Sequence, residues 1–113
     1  DAIRTAANVA AEDEKDLSKV RMDIGLFRAY AEGYLSETRD TLNPVEKEYL
    51  AFAPRLITYT IGLRFLTDYI DGDNYFKIHH PEHNLQRARA QFKLVSSMEA
   101  QYHEMQEIIR KLI

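Results

Sequence analysis

Residues 62–77 read Gly62-Leu-Arg-Phe-Leu-Thr-Asp-Tyr-Ile-Asp-Gly-Asp-Asn-Tyr-Phe-Lys77, and this stretch decides the fold. It predicts the end of a long helix, a sharp stop and an extended exit. Gly72 stands where a helix C-terminus favours a positive φ, and Asp and Asn residues typical of turns flank it. We therefore expect Tyr75 and Lys77 to lie just beyond the helix end.

This helix has one apolar side and one polar stripe when its residues are placed at about 100° intervals. The apolar side is formed by Leu56, Tyr59, Leu63, Leu66 and Ile70. The polar stripe is narrow and is formed by Thr60, Arg64, Thr67 and Asp68. The simplest interpretation is that the apolar side packs into the core and that the stripe is solvated.

The helices before this stretch are predicted from their first residues. Asp23 can cap a helix of about 24–39, and its Gly33 predicts a close approach by another helix. Asn43-Pro-Val-Glu46 begins a further helix with a capping box. Pro54 predicts a break at Phe52–Ala53, because proline lacks an N–H and clashes with the preceding turn. A longer helix of about 54–71 follows.

The last helix is predicted to begin after Asn84 and to run for about 28 residues. Its apolar residues recur every three or four positions as Leu85, Ala88, Phe92, Val95, Met98, Tyr102, Met105, Ile109 and Leu112. We expect the two earlier helical segments to pack against it in antiparallel directions. The predicted fold class is all-α, a small bundle of four or five helices.

The chain divides into an unequal pair of segments. Residues 1–22 contain small residues and a charge run, which predict an extended or partly helical lead-in with few contacts. Residues 23–113 form the predicted helical subdomain. The chain does not begin with Met, so we expect it to be a segment of a longer protein.

The composition and charge of the chain argue against several classes of function. The net charge is −3 and the basic residues are spread along the chain, which argues against a nucleic-acid partner and against a polybasic membrane anchor. No apolar run approaches the roughly 20 residues of a membrane span. The chain has no cysteine, which excludes disulfides and thiol chemistry and fits a reducing, cytoplasmic location.

No complete active site is visible in the residues. The chain contains no phosphate-binding glycine loop, no catalytic loop of the kinase type and no formylglycine sulfatase motif. Three of the four histidines lie in Ile78-His-His-Pro-Glu-His83, where a polar loop is favoured over a metal site because Pro81 divides the group. We therefore predict no catalytic and no metal-binding residue in this chain.

Two stretches nevertheless resemble a known family. They are residues 62–77 and His80-Pro-Glu-His-Asn-Leu-Gln-Arg-Ala-Arg-Ala-Gln-Phe-Lys-Leu-Val95. Both resemble the N-acetylhexosamine 1-kinases of the aminoglycoside/choline-kinase-like phosphotransferase family, and the resemblance extends over essentially the whole chain. Some relatives carry a mucin-desulfatase label, which the missing sulfatase motif does not support.

The resemblance implies a longer parent protein with a two-lobed, protein-kinase-like fold. ATP and Mg²⁺ would lie between its lobes, and a catalytic Asp would activate a sugar hydroxyl for attack on the γ-phosphate. This chain lacks the nucleotide-binding N-terminal lobe, the catalytic Asp loop and the main metal-binding Asp. It would correspond to the helical C-terminal subdomain, which forms one wall of the acceptor-sugar pocket and holds no cofactor itself.

Four residues would bind substrate on this interpretation. Arg64 would face the sugar with its donors, Tyr75 would contact the acetamido sugar, Asp68 would orient Arg64, and Tyr102 would close the pocket as an aromatic wall. The alternatives remain open: Arg64 and Asp68 form a surface pair one helical turn apart, and the two tyrosines belong to the core.

The sequence thus leaves two functions. One is the acceptor-binding subdomain of a cytoplasmic sugar kinase, unable to turn over alone and open to self-association through the face that met the missing lobe. The other is a non-enzymatic helical protein-interaction module. A sugar site needs Arg64 and Tyr75 on a concave polar surface, whereas a protein partner needs a contiguous exposed apolar patch.

Overall fold

Helices account for 66% of the chain in the computed structural model, which describes all 113 residues and contains no strand. The six α-helices are α1 (Ala2–Ala6), α2 (Ile24–Thr38), α3 (Pro44–Glu48), α4 (Ala53–Ile70), α5 (His83–Ala100) and α6 (Tyr102–Leu112), and a 3-10 turn spans Leu17–Lys19. The all-α class is therefore confirmed. There are more helices than the four or five expected, because α1 forms in the lead-in and the last helix is divided.

The predicted starts of α2 and α3 are confirmed by their capping bonds. The Asp23 carboxylate accepts a hydrogen bond from the Leu26 amide at 3.0 Å. Asn43 and Glu46 form a capping box, with the Glu46 amide 2.8 Å from the Asn43 side-chain oxygen. The chain leaves regular helix after α3 and resumes it at Ala53, as Pro54 predicts.

The prediction of one continuous last helix is wrong. Gln101 separates α5 from α6 with φ −108° and ψ 9°. Its side-chain amide donates to the Met22 carbonyl at 2.8 Å, so the break coincides with a polar tie to the lead-in. The apolar spacing continues across the break, which is why the sequence pattern does not reveal it.

The assignment of Asn84 as the N-cap is also wrong. α5 begins at His83, and Glu82 occupies the N-cap position without a side-chain bond. Asn84 lies inside the first turn and is fully buried. Its side-chain amide donates to the carboxylates of Asp68 and Asp73, so it is occupied by tertiary contacts instead of capping.

α4 and α5 form the largest helix–helix interface and run antiparallel, as expected, while α2 packs on α6. Tyr59 packs on Phe92 near one end of the α4–α5 interface and Asp68 meets Asn84 at the other. The two helices approach closely at Gly62, where an added Cβ would lie 2.8 Å from Phe92 Cε1. The close approach expected at Gly33 is absent, since a Cβ there would meet nothing within 4 Å.

The buried side of α4 differs from the predicted one. It consists of Pro54, Thr58, Gly62, Phe65 and Asp68. Four of the five apolar residues expected in the core are exposed, at 52% for Leu56, 48% for Tyr59, 40% for Leu63 and 76% for Ile70. This side includes the small residues Thr58 and Gly62, which permit close packing. The Thr58 hydroxyl donates to the Pro54 carbonyl at 2.6 Å.

The lead-in belongs to the same core as the later helices. Ala7, Val20 and Met22 are buried in the main hydrophobic cluster, and an antiparallel bridge joins Asn8 to Met22. The buried Arg4 guanidinium donates to Gln91 on α5 at 3.2 Å. Residues 1–22 therefore make more contacts than the sequence led us to expect.

Candidate functional site

A polar groove of about 440 Å³ lies along the C-terminal half of α4 and the loop that follows it. We use the name polar groove for the surface lined by Thr60, Leu63, Arg64, Thr67, Asp68, Asp71, Tyr75 and Phe76. The groove therefore contains the whole polar stripe of the sequence analysis and two residues beyond the helix end, Tyr75 and Phe76. It brings together three of the four predicted site residues.

The helix stop that shapes the groove is a Schellman motif. Gly72 has φ 95°, and Asp73 follows with φ 62°, a left-handed conformation that Asp tolerates better than most residues. The Asp73 amide donates to the Asp68 carbonyl at 2.7 Å, and the Gly72 amide donates to the Tyr69 carbonyl at 3.3 Å. The predicted stop is thus confirmed, and it turns the chain back so that Tyr75 lies beside α4.

Asp68 is buried at the base of the groove and its carboxylate is fully engaged. One oxygen accepts from the Tyr75 amide at 2.8 Å, and the other accepts from the Phe76 amide at 3.0 Å and from the Asn84 side chain at 2.7 Å. Burial alone would raise the pKa of Asp68, but these hydrogen bonds outweigh it and hold the pKa below its usual range.

The expected Arg64–Asp68 pair does not form, because the three donors at the end of α4 draw the carboxylate away from Arg64. The Arg64 guanidinium instead lies over two aromatic rings, at 5.5 Å from the centre of Tyr75 and 5.4 Å from that of Phe76. It has no ion pair or hydrogen bond within the chain, so its donors remain available to a ligand.

Tyr75 is 75% exposed, which removes the alternative that it is a core residue. Its ring meets the Phe76 ring edge to face at 4.9 Å, and Phe76 in turn packs on the buried Phe65 at 4.8 Å. The exposed ring therefore forms one wall of the groove and stands on a packed aromatic base.

The fourth predicted site residue lies elsewhere. Tyr102 is at the start of α6, partly buried against the main core, and does not line the polar groove. The Arg55 guanidinium lies over its ring at 4.7 Å. The alternative interpretation of Tyr102, as a packing aromatic, describes its surroundings better than an aromatic wall for the groove does.

Asn84 and Arg87 support the groove from α5, and the sequence analysis missed both roles. The Asn84 carbonyl oxygen accepts from Arg87 at 2.9 Å, and the same Arg87 nitrogen donates to the Lys77 carbonyl at 3.1 Å. An asparagine near the start of a helix resembles a cap in sequence, so no local pattern distinguishes the two roles.

The histidine segment forms a separate polar contact. His83 is buried, and its Nε2 lies 2.7 Å from the Asp13 carboxylate, while its Nδ1 accepts from the His79 amide at 3.2 Å. The hydrogen bond from His83 is the main cause that holds the pKa of Asp13 below its usual range. No group of three or more His, Cys, Asp or Glu side chains is arranged to hold a metal ion.

A second hollow of about 270 Å³ lies between α1, α2, α4 and α6 and is almost wholly apolar. Its wall includes Phe27, Tyr30, Tyr34 and Pro54, and Asp1 is its only charged residue. Since ligand pockets usually combine apolar walls with converging polar groups, the polar groove is the better candidate for a polar small molecule.

Chemically, the polar groove offers a free guanidinium, the Thr67 hydroxyl, an exposed carboxylate at Asp71 and an aromatic face. The Thr60 hydroxyl already donates to the Leu56 carbonyl and can only accept from a ligand. This combination suits a ligand with several hydroxyl or amide groups, and it contains no nucleophile paired with a base. No family model matches the chain. No helix is both long enough and apolar enough to cross a bilayer.

Proposed function

We propose that this chain is the acceptor-sugar-binding helical subdomain of an ATP-dependent N-acetylhexosamine kinase, and that it is not catalytic alone. The observation that carries the proposal is the meeting of Arg64 and Tyr75 in one concave polar groove. Sugars present many hydroxyl groups together with apolar ring faces, and such a groove complements both. The sequence resemblance to the phosphotransferase family points to the same pair of residues.

The proposed role of each residue follows from the donors and acceptors that have no partner within the chain. The Arg64 guanidinium has no acceptor within the chain and would donate to sugar hydroxyl or acetamido oxygens. The Tyr75 ring and hydroxyl are exposed and would contact the sugar directly. The carboxylate of Asp68 is already engaged by three donors, so its role is indirect.

ATP and Mg²⁺ would be bound by the N-terminal lobe of the longer parent kinase. The chain contains no phosphate-binding glycine loop and no catalytic loop of the kinase type. The chain alone is therefore expected not to transfer phosphate from ATP. Phosphorylation of N-acetylglucosamine or N-acetylgalactosamine by the purified 113-residue chain would contradict this.

The decisive experiment uses the parent kinase with Arg64→Ala and Tyr75→Phe. Leaving a polar partner unpaired costs about 1–3 kcal/mol, so the kcat/KM for the acceptor should fall about ten- to a hundredfold. The KM for ATP should change little. Arg55→Ala is the matched control, since Arg55 lies on α4 and covers the rings of Phe52 and Tyr102 outside the groove.

Unchanged acceptor kinetics in both variants, with only lower thermal stability, would refute the proposal. In that case Arg64 and Tyr75 would both be surface residues without a role in acceptor binding. An equal fall in the Arg55→Ala control would also count against it, because the effect would then not be specific to the groove.

A second candidate function is favoured by the exposed apolar side of α4. Leu56, Tyr59, Leu63 and Ile70 lie on one side of the helix and are all at least 40% exposed. A helical module that binds a protein partner would present such a surface. Substitution of Leu56 or Ile70 by Lys would abolish partner binding on this hypothesis and would leave sugar binding intact on the first.

A further inference from the structure

We propose that Asp68 and Asn84 are positioning residues, which hold residues 73–76 across the ends of α4 and α5 and thereby fix the Tyr75 ring beside Arg64. The part of this inference that concerns ligand binding rests on the proposed function. The part that concerns the conformation of residues 73–76 does not depend on the proposed function. The experiments below test the two parts separately.

Hydrogen bonds from the loop backbone meet at Asp68. Its main-chain carbonyl accepts from the Asp73 amide at 2.7 Å. Its carboxylate accepts from the amides of Tyr75 and Phe76 at 2.8 and 3.0 Å. Three loop amides thus bind one residue, and two of these bonds are to an ionised group and are correspondingly strong.

The Tyr75 ring depends on this anchoring for its position. With 75% of its surface exposed, the side chain has little packing of its own. Its described ring contacts are Phe76 and Arg64, and Phe76 is fixed through its own amide to the same carboxylate. Movement of the loop backbone would therefore separate the aromatic wall of the groove from the guanidinium.

The Asn84 side chain suits this position because it can both donate and accept hydrogen bonds. Its amide nitrogen donates to two carboxylates, Asp68 at 2.7 Å and Asp73 at 3.0 Å, while its oxygen accepts from Arg87. The opposite orientation would set an acceptor against both carboxylates and a donor against a cation, so the chemistry fixes the orientation. Asn84→Asp would bring three carboxylates together.

The first experiment measures the loop without any ligand. Asp68→Asn has nearly the same shape but keeps only one acceptor oxygen. We expect hydrogen-exchange protection of the Tyr75 and Phe76 amides to fall about ten- to a hundredfold, the ordinary effect of losing a charge-assisted hydrogen bond. The ring-current shift of the Arg64 side-chain protons should diminish with it, which a purely global loss of stability would not cause.

Two further variants make the result specific. Asn84→Asp should loosen the same amides by electrostatic repulsion, although it leaves Asp68 unchanged. Asp71→Asn removes one negative charge from the same groove without touching the loop amides, so their protection should be unchanged. Full protection of Tyr75 and Phe76 in both Asp68→Asn and Asn84→Asp would overturn the proposal.

The second experiment adds N-acetylglucosamine to the same samples and follows the amide signals. If the wild-type chain binds and Asp68→Asn binds about ten- to a hundredfold more weakly, both proposals are supported. If the loop loosens but wild type does not bind, the positioning role stands and the proposed function fails. If the loop loosens and affinity is unchanged, the positioning role for the ligand is overturned.

A wild-type measurement covers the case in which the variants do not fold. The Tyr75 and Phe76 amide shifts should titrate with the Asp68 carboxyl as the pH falls. The other charged groups near this carboxyl are Arg64 and Asp71 on α4, Asp73 in the loop and Arg87 on α5. Loop amides that do not respond while the Asp68 carboxyl titrates in folded protein would overturn the proposal.

Discussion

The same substitution at two helical glycines should change stability in opposite directions. Replacement of Gly by Ala inside a helix gains about 1 kcal/mol from helix propensity alone. At Gly33 a new methyl group would meet nothing within 4 Å, so Gly33→Ala should realise this gain. At Gly62 the methyl group would lie 2.8 Å from Phe92 Cε1 and 3.3 Å from Gln91 Cβ.

The second contact decides the sign at Gly62. The Phe92 ring can shift, although it packs on Tyr59 at 6.0 Å, but Gln91 Cβ is attached to the α5 backbone and moves only with that helix. Overpacking costs about 1–3 kcal/mol, which exceeds the propensity gain and leaves Gly62→Ala destabilised by about 1 kcal/mol.

Thermal unfolding followed by circular dichroism measures both effects. A chain of 113 residues has an unfolding entropy of about 0.24 kcal/mol/K, so 1 kcal/mol corresponds to about 4 °C. Gly33→Ala should therefore melt about 4 °C above wild type and Gly62→Ala about 4 °C below it. A rise in Tm for Gly62→Ala equal to that for Gly33→Ala would refute the close packing of α4 on α5.

Three further predictions concern the capping box, pH and the exposed side of α4. Asn43→Ala should lower the free energy of unfolding by about 1 kcal/mol in urea, whereas Asn43→Asp, which retains the acceptor, should change it little. Because the His83 hydrogen bond holds the pKa of Asp13 below its unfolded value, its contribution should be complete above about pH 4 and be lost as the pH falls through the folded pKa. Asp13→Asn should then weaken the acid dependence of Tm, and an identical acid profile would contradict this. The exposed apolar side of α4 should make the chain self-associate and bind a hydrophobic dye, less so after Leu56→Lys and Ile70→Lys; a strict monomer in sedimentation with no dye binding would count against it.

Local signals in the sequence predicted several of the helix ends correctly. The capping residues at Asp23 and Asn43, the break before Pro54 and the stop at Gly72 depend on backbone preferences of a few neighbouring residues. Such preferences are visible in the sequence without knowledge of the fold. The meeting of Arg64 and Tyr75 could be predicted for the same reason, since the stop at Gly72 lies between them and turns the chain back along α4.

Tertiary contacts were harder to predict from the sequence. The buried side of α4 was predicted wrongly because large apolar residues suggest burial, whereas here Thr58 and Gly62 face α5 and allow it to approach. Asn84 was taken for a cap and Asp68 for the partner of Arg64. The two carboxylates that Asn84 contacts lie 11 and 16 residues away, and the three donors that bind the Asp68 carboxylate lie 7, 8 and 16 residues away. The break at Gln101 likewise depends on Met22, which lies 79 residues earlier.

The contacts between residues 1–22 and α5 limit how far the chain can be shortened from its N-terminus. A shortened version that begins at Asp23, where the helical pattern starts, would discard Ala7, Val20 and Met22 from the core. It would also leave the Gln91 side chain without Arg4 and without the Glu12 carbonyl that accepts from it at 3.2 Å. We therefore expect a version that begins at Asp23 to be less stable than the whole chain, and expression boundaries drawn from helical periodicity alone would cut through these contacts.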